Sequence, residues 1–179
     1  SIPDTSTLTS ARVGLRWVRG PFELANAWGL AESAARIEAV ARGYGLEVPK
    51  VFARQRGKSF RFERVKFEVD GDGIGTITIH RPDAQNALNE EVVEQLREVR
   101  DEAETDRRVR AIVLAGSGKA FVAGADIKFF VDAIDHNDLA RIRSFTEAGQ
   151  ELFRRIDEST KPVTVRLDGL SLGGGSELK

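Results

Sequence analysis

The 179-residue chain contains no cysteine, no methionine, a single tyrosine and two histidines. Without cysteine there is no disulfide framework and no thiolate metal site, a composition that suits the cytoplasm. The histidines, His80 and His136, stand apart from any Ser or Asp in a triad-like context, and no His/Asp/Glu cluster has metal-ligand spacing. We read His80 as a strand-end residue and His136 as a solvated loop residue. Charge of one sign is missing too: 27 basic and 28 acidic residues leave a net −1. Nothing electrostatic therefore draws the chain to nucleic acid or to an anionic membrane. No apolar run reaches the roughly 18 residues of a spanning helix. "SIPDTSTLTS" lacks the basic start and apolar core of a signal peptide. The lack of methionine extends to the first position, which, with an end at "SELK", leads us to expect a processed chain or a piece of a longer protein.

What is present, 41% hydrophobic and 31% charged residues, is the composition of a soluble globular protein. Two regions differ. From Pro21 to about Gly45 the pattern predicts a helix, with Pro21 in its first turn, Gly43 and Gly45 at its stop, and an apolar stripe of Ala34, Ile37, Val40 and Ala41. The basic stretch 49–61 has no clear period and reads as a linker or domain edge. From Val65 the period changes to two. Val65, Phe67 and Val69, then "DGDG", then Ile77 and Ile79 predict a hairpin turning at Asp72-Gly73. Asn89 is an N-cap for a helix carrying Val92, Leu96 and Val99. "RAIVLAG" predicts a buried strand, and Ile142, Phe145, Leu152, Phe153 and Ile156 a long amphipathic helix closed before Pro162. "PVTVRLDG" predicts another strand, and "GGGSEL" opens a helix. The order β-β-α-β-α-β-α implies an α/β core with helices covering one side of a sheet. The charge run "DEAETDRRVR" reads as a solvated helix end.

Two glycine loops follow directly on predicted strands: "GSGKAFVAGADIKFF" (116–130) and "DGLSLGGGSEL" (168–178). In α/β sheets ligands collect beyond the C-terminal strand ends, where helix N-termini offer unpaired N–H groups. Two such loops facing each other can aim two donors at one oxygen, an oxyanion hole, and glycine lets a substrate reach the backbone. Both lack the GK[ST] ending of a phosphate loop and the G-x-G-x-x-G spacing of a dinucleotide fingerprint. A plainer reading stays open for each feature. The triple glycine serves equally as a turn or joint, Glu177 as a residue answering a helix dipole, and Asp126 as the N-cap of a short helix 127–134.

"IHRPDAQNALN", "GSGKAFVAGADIKFF" and "KPVTVRLDGLSLGGGSEL", in this order and spacing, resemble the crotonase (enoyl-CoA hydratase/isomerase) superfamily over roughly residues 65–179. The resemblance implies an α/β, crotonase-like ββα core, incomplete here, behind a small N-terminal helical segment. It implies that the Ala125 and Gly174 amides polarise an acyl-CoA thioester carbonyl, and that Glu177 is an acid/base. It implies that Ala123, Gly124, Ala125, Asp126, Ile127, Lys128 and Gly174 line the CoA and pantetheine side and Ala84 the adenine side. Hydratases of this family pair two glutamates, and the second would lie beyond Lys179. The resemblance further implies an acyl-CoA substrate, no bound cofactor in this chain, and homo-oligomers through the crotonase domain.

The N-terminal part, "GLRWVRGPFELANAWGL" with "GKSFRF", resembles the C-terminal domain of 3-hydroxyacyl-CoA dehydrogenases. The two resemblances imply a boundary between a partial dehydrogenase domain with linker (1–62) and the N-terminal part of a crotonase domain (63–179). They imply a fused β-oxidation enzyme whose NAD would bind only an upstream domain. The activity implied is hydration of trans-2-enoyl-CoA to 3-hydroxyacyl-CoA. The alternatives are Δ3-Δ2-enoyl-CoA isomerisation or, for this chain by itself, a non-catalytic assembly module.

Overall fold

The computed structural model describes residues 20–47 and 61–178, which fall into two units dividing between Glu63 and Arg64. The basic stretch and the flanks of the dehydrogenase-like motif therefore lie mostly outside the described residues. In the first unit the single helix expected from Pro21 to Gly45 is two helices. These are α1 (Pro21–Trp28) and α2 (Leu30–Tyr44). Gly29, at φ +84, interrupts the helical path, since such a conformation suits glycine and ends a helix. The Gly20 N–H donates to the Glu23 carboxylate at 2.8 Å, closing the first turn of α1. Ser33 Oγ donates to the Ala25 carbonyl and ties the helices together. Ala25 and Phe62 form a small buried cluster with Phe22 and Leu30 against them. Of the expected α2 stripe only Ala41 is buried, and Val40 is 57% exposed.

The second unit begins with the predicted hairpin, β1 (Val65–Val69) antiparallel to β2 (Ile74–Ile79), with Phe67 opposite Ile77. Its turn falls at Gly71-Asp72, one residue earlier than expected. The reason is Asp70, whose carboxylate accepts from the Asp72 and Ile74 amides and so builds the turn around itself. A 3-10 turn (Pro82–Ala84) precedes α3 (Glu90–Thr105), capped as expected by Asn89, whose side chain accepts from the Val92 amide at 3.0 Å. There follow β3 (Ala111–Gly116), β4 (Ala120–Val122), α4 (Ile127–Asp135) and α5 (Leu139–Asp157). The chain continues through β5 (Val163–Arg166), β6 (Leu170–Ser171) and the single turn α6 (Gly174–Glu177).

The main sheet has the order β1-β2-β3-β5, with every pair after the hairpin parallel. Helix α3 packs on β1 and β2, and α5 packs on α3. Ile77, Ile79, Val92, Leu96, Ile112, Leu114, Phe121 and Leu152 form the core between these layers. Buried Gln95 offers its Oε1 to the Arg64 and Val65 amides, so no edge donor of β1 is orphaned there. Strands β4 and β6 form a second, two-stranded parallel sheet that the sequence pattern does not announce. Segments of three and two residues are too short to display a period.

The charge run 101–110 is more than a solvated helix end. Glu104 accepts from the Thr160 amide, the Ser159 hydroxyl and the Thr160 hydroxyl. Lys161 Nζ donates to the Ala103 and Asp106 carbonyls, each at 2.7 Å, and caps α3 from outside. Burial pushes Glu104 upward, but the hydroxyl and amide bonds from Thr160 and Ser159, with the Arg100 charge, outweigh it and hold its pKa at about 2.

Candidate active site

Strands β4 and β6 run parallel, so the loops leaving their C-terminal ends emerge side by side. The Leu172 amide donates to the Val122 carbonyl at 3.0 Å, extending the pairing into the loops. A Cβ built on Gly124 would lie 3.3 Å from the Leu172 carbonyl oxygen, and one on Gly173 would lie 3.7 Å from the Gly124 Cα. A Cβ on Gly175 would run into the Val122 carbonyl, so glycine there is a condition of the close approach. The two glycine loops are thus in backbone contact.

Leu88 links the two expected donor residues. It forms an isolated parallel bridge with Ala125, its amide donating to the Gly124 carbonyl and its carbonyl accepting from the Asp126 amide, both at 2.8 Å. In a parallel bridge both bonds of Leu88 go to the neighbours of Ala125, so Ala125's own N–H faces away from Leu88. The Leu88 Cδ1 lies 3.4 Å from where a Gly174 Cβ would be, with Phe153 behind it. Neither the Ala125 nor the Gly174 amide donates to another described residue. Gly174 is the first residue of α6, where an amide has no intrahelical acceptor. Glu177 closes the same turn with its side chain exposed. It borders a cleft of about 320 Å³ whose other walls include Phe153, Ile156, Lys161, Val163 and Leu178.

The remaining expected site residues divide. Ala123 donates its amide to the Gln85 carbonyl, Gly124 is buried at φ +87, and Ala125, Ile127 and Lys128 are exposed. Ile127 is 76% exposed, an unusual position for isoleucine at a helix start. Ala84 is half-buried in the 3-10 turn. Asp126 is otherwise engaged: one carboxylate oxygen accepts from the Lys128 amide at 3.0 Å as the N-cap of α4, and the other lies 2.6 Å from Arg81 Nη1. Among the described residues no His, Cys, Asp or Glu side chains gather as metal ligands.

Sequence reasoning missed the residues that hold this arrangement. Asn86 is fully buried at φ +57. Its Oδ1 accepts from the Arg81 amide, and its Nδ2 donates to the Ser117 and Ala120 carbonyls. The available signal was the Gln85-Asn86 pair after a proline turn, because asparagine tolerates the left-handed conformation that both residues adopt.

The architecture is crotonase-like. The solved enoyl-CoA hydratase of Thermoplasma volcanium matches with a TM-score of 0.60 at 38% identity, over 66% of this chain and 46% of that one. The family model for enoyl-CoA hydratase/isomerase matches residues 70–179, and the chain belongs to that family. A probable enoyl-CoA hydratase of Bacillus subtilis is 41% identical over 105 residues, covering 59% of this chain and 39% of the relative. The fatty acid oxidation complex subunit alpha of Idiomarina loihiensis is 35% identical over 116 residues, covering 62% of this chain and 16% of the relative. The chain spans 39–44% of the length of the curated hydratases it matches. No helix among the described residues is long and apolar enough to cross a membrane.

Proposed function

We propose that this chain supplies the oxyanion donors and one acid/base of an enzyme that adds water to trans-2-enoyl-CoA in fatty acid β-oxidation. The observation that carries the reading is the pair of unpaired amides, Ala125 and Gly174, on two loops in backbone contact, with Glu177 on the turn that Gly174 opens. As water adds at the β-carbon, negative charge grows on the thioester oxygen. Two preoriented N–H donors stabilise that charge more than they stabilise the neutral substrate. Glu177 would either take the proton that water loses as its oxygen bonds to the β-carbon, or deliver the proton that the α-carbon gains as the enolate collapses. The names of the relatives support hydration over other chemistry on the same scaffold.

In the full-length protein Glu177→Gln should lower kcat for crotonyl-CoA hydration by about 10²–10⁴-fold with KM little changed, since the swap keeps shape and removes the proton acceptor. Loss of enoyl-thioester absorbance measures it, and retained turnover would return Glu177 to the role of answering a helix dipole. Supplying a 3-enoyl-CoA in a parallel assay separates the isomerase alternative, which uses the same donors with a single acid/base.

The N-terminal unit extends the proposal to a dehydrogenase fused upstream. Its support is the resemblance of residues 14–30 and 57–62, together with a relative of far greater length named for a fatty acid oxidation complex. Oxidation of 3-hydroxybutyryl-CoA with reduction of NAD by the full-length protein tests it. Hydration with no NAD reduction would remove the dehydrogenase and leave the hydratase.

A further inference from the structure

The loop carrying Ala125 is held from outside by the segment 81–88, through backbone bonds and one ion pair. The chain leaves β2 at His80 and enters the 3-10 turn after Arg81. Two consecutive left-handed residues, Gln85 at φ +51 and Asn86 at φ +57, then reverse it. Residues 85–88 consequently run beside 123–126, with three backbone bonds: Ala123 N–H to Gln85, Leu88 N–H to Gly124 and Asp126 N–H to Leu88. These bonds set the distance between the segments.

Arg81 adds a side-chain tie to this three-bond ladder. Its Nη1 reaches both the Asp126 carboxylate at 2.6 Å and the Ala87 carbonyl at 3.0 Å, so one nitrogen joins the two segments across the Leu88–Ala125 bridge. The side chains are 15% and 11% exposed, so water screens the pair little. The other end of Arg81 is also held, its amide donating to buried Asn86, which is anchored to Ser117 and Ala120. Asp126 spends its second oxygen on the Lys128 amide, so the same carboxylate sets where α4 begins. Ala125 is the residue immediately before that carboxylate.

We propose that Arg81 and Asp126 are positioning residues: their buried pair sets the direction of the Ala125 N–H and thereby its ability to hold a thioester oxygen. The proposal rests on the oxyanion reading above. It assigns the Asp126 side chain to the scaffold rather than to coenzyme A. A donor must sit within a few tenths of an ångström of the developing charge, and a displacement of about 1 Å can cost on the order of 10²-fold in rate.

The test uses the full-length protein and two readouts. The first is kcat and KM for crotonyl-CoA hydration in Arg81→Gln, Asp126→Asn, the double variant and Arg81→Lys. Asparagine keeps one oxygen to cap α4 and turns its NH2 group toward Arg81, so Asp126→Asn spares the cap and removes both the charge and the acceptor that Arg81 meets. Arg81→Gln and Asp126→Asn should each lose about 10–100-fold in kcat with KM changed far less. The double variant should be no worse than the poorer single one, and Arg81→Lys should recover most of the loss. The second readout is the absorption of a bound 4-dimethylaminocinnamoyl thioester of coenzyme A, which moves to longer wavelength as its carbonyl is polarised. Wild type and Glu177→Gln should show the full shift, and Arg81→Gln and Asp126→Asn a reduced one. If Arg81→Gln does not fold, Asp126→Asn reads the same pair. A full shift with unchanged kcat in Asp126→Asn or Arg81→Gln overturns the positioning role and leaves the oxyanion reading standing. A wild type that binds the probe without any shift overturns the oxyanion reading itself.

Discussion

At the scale of single residues, Asn86 carries more of this structure than its size suggests. It is fully buried and uses its side chain in three hydrogen bonds while adopting a left-handed backbone. Asn86→Leu would leave one donor and two carbonyl acceptors without partners and put a branched side chain at positive φ. We expect a loss on the order of 3 kcal/mol, seen as a lower urea midpoint with an unchanged slope. An unchanged midpoint would mean that the turn's own backbone bonds and the Arg81 side chain suffice to hold it. Arg141 is a contrasting case. It pairs with Glu90 and Asp132, lies over the Phe129 ring, and is more than a third exposed. Pairs so open to solvent contribute little, so Arg141→Ala should cost less than about 1 kcal/mol.

At the scale of elements, the two glycines of α6 that flank the loop contact behave differently. A Cβ on Gly174 would meet Leu88 and Phe153 at 3.4 and 3.6 Å, ordinary packing distances, whereas one on Gly175 would collide with the Val122 carbonyl. Gly174→Ala should therefore leave thermal stability nearly unchanged and report only on access to its amide. Gly175→Ala must push α6 away from β4 and should cost about 1–3 kcal/mol. Comparing the two melting temperatures decides it, and equal melting temperatures would mean that α6 does not pack on β4 in solution. Gly116 and Gly169 sit under the same constraint, against Phe121 and Lys119 backbone. The small β4–β6 sheet thus depends on glycine at three places, each where main chain crosses main chain.

At the scale of the whole second unit, Glu104 joins the end of α3 to the start of β5. Its folded pKa is about 2 against an ordinary 4.5. A carboxylate depressed on folding contributes stability that is fully present above its unfolded value and is lost as pH falls through the folded one. The unit should therefore hold its stability down to pH near 4.5 and lose part of it between 4.5 and 2. Urea unfolding at pH 6 and pH 3 measures the slope. Thr160→Val with Ser159→Ala should flatten that slope, because the hydroxyls that favour the charged form are gone. An unaltered slope in that variant would assign the acid sensitivity to other groups, Asp106 first, since its pKa also lies at about 2 beside Arg108.

Much was legible from the residues alone, for a definite reason. The hairpin, the capped helix after Asn89, the strand 111–116 and the long helix before Pro162 each come from periods and caps that local chemistry imposes within one stretch of chain. The break at Gly29 and the turn around Asp70 were misread because one positive φ and one side-chain acceptor moved a boundary that composition left open. The pairing of β4 with β6, and with it the meeting of the glycine loops, could not be read along the chain. It joins residues some fifty apart through segments too short to show a period. The Arg81–Asp126 pair is of the same kind, a contact across forty-five positions in which neither residue's neighbours announce its partner. Local sequence thus determined which elements form and which amides lie on glycine loops. Tertiary packing decided which of those amides stay unpaired and what holds them in direction, because a hydrogen bond is satisfied or spared only once the chain's distant parts have met.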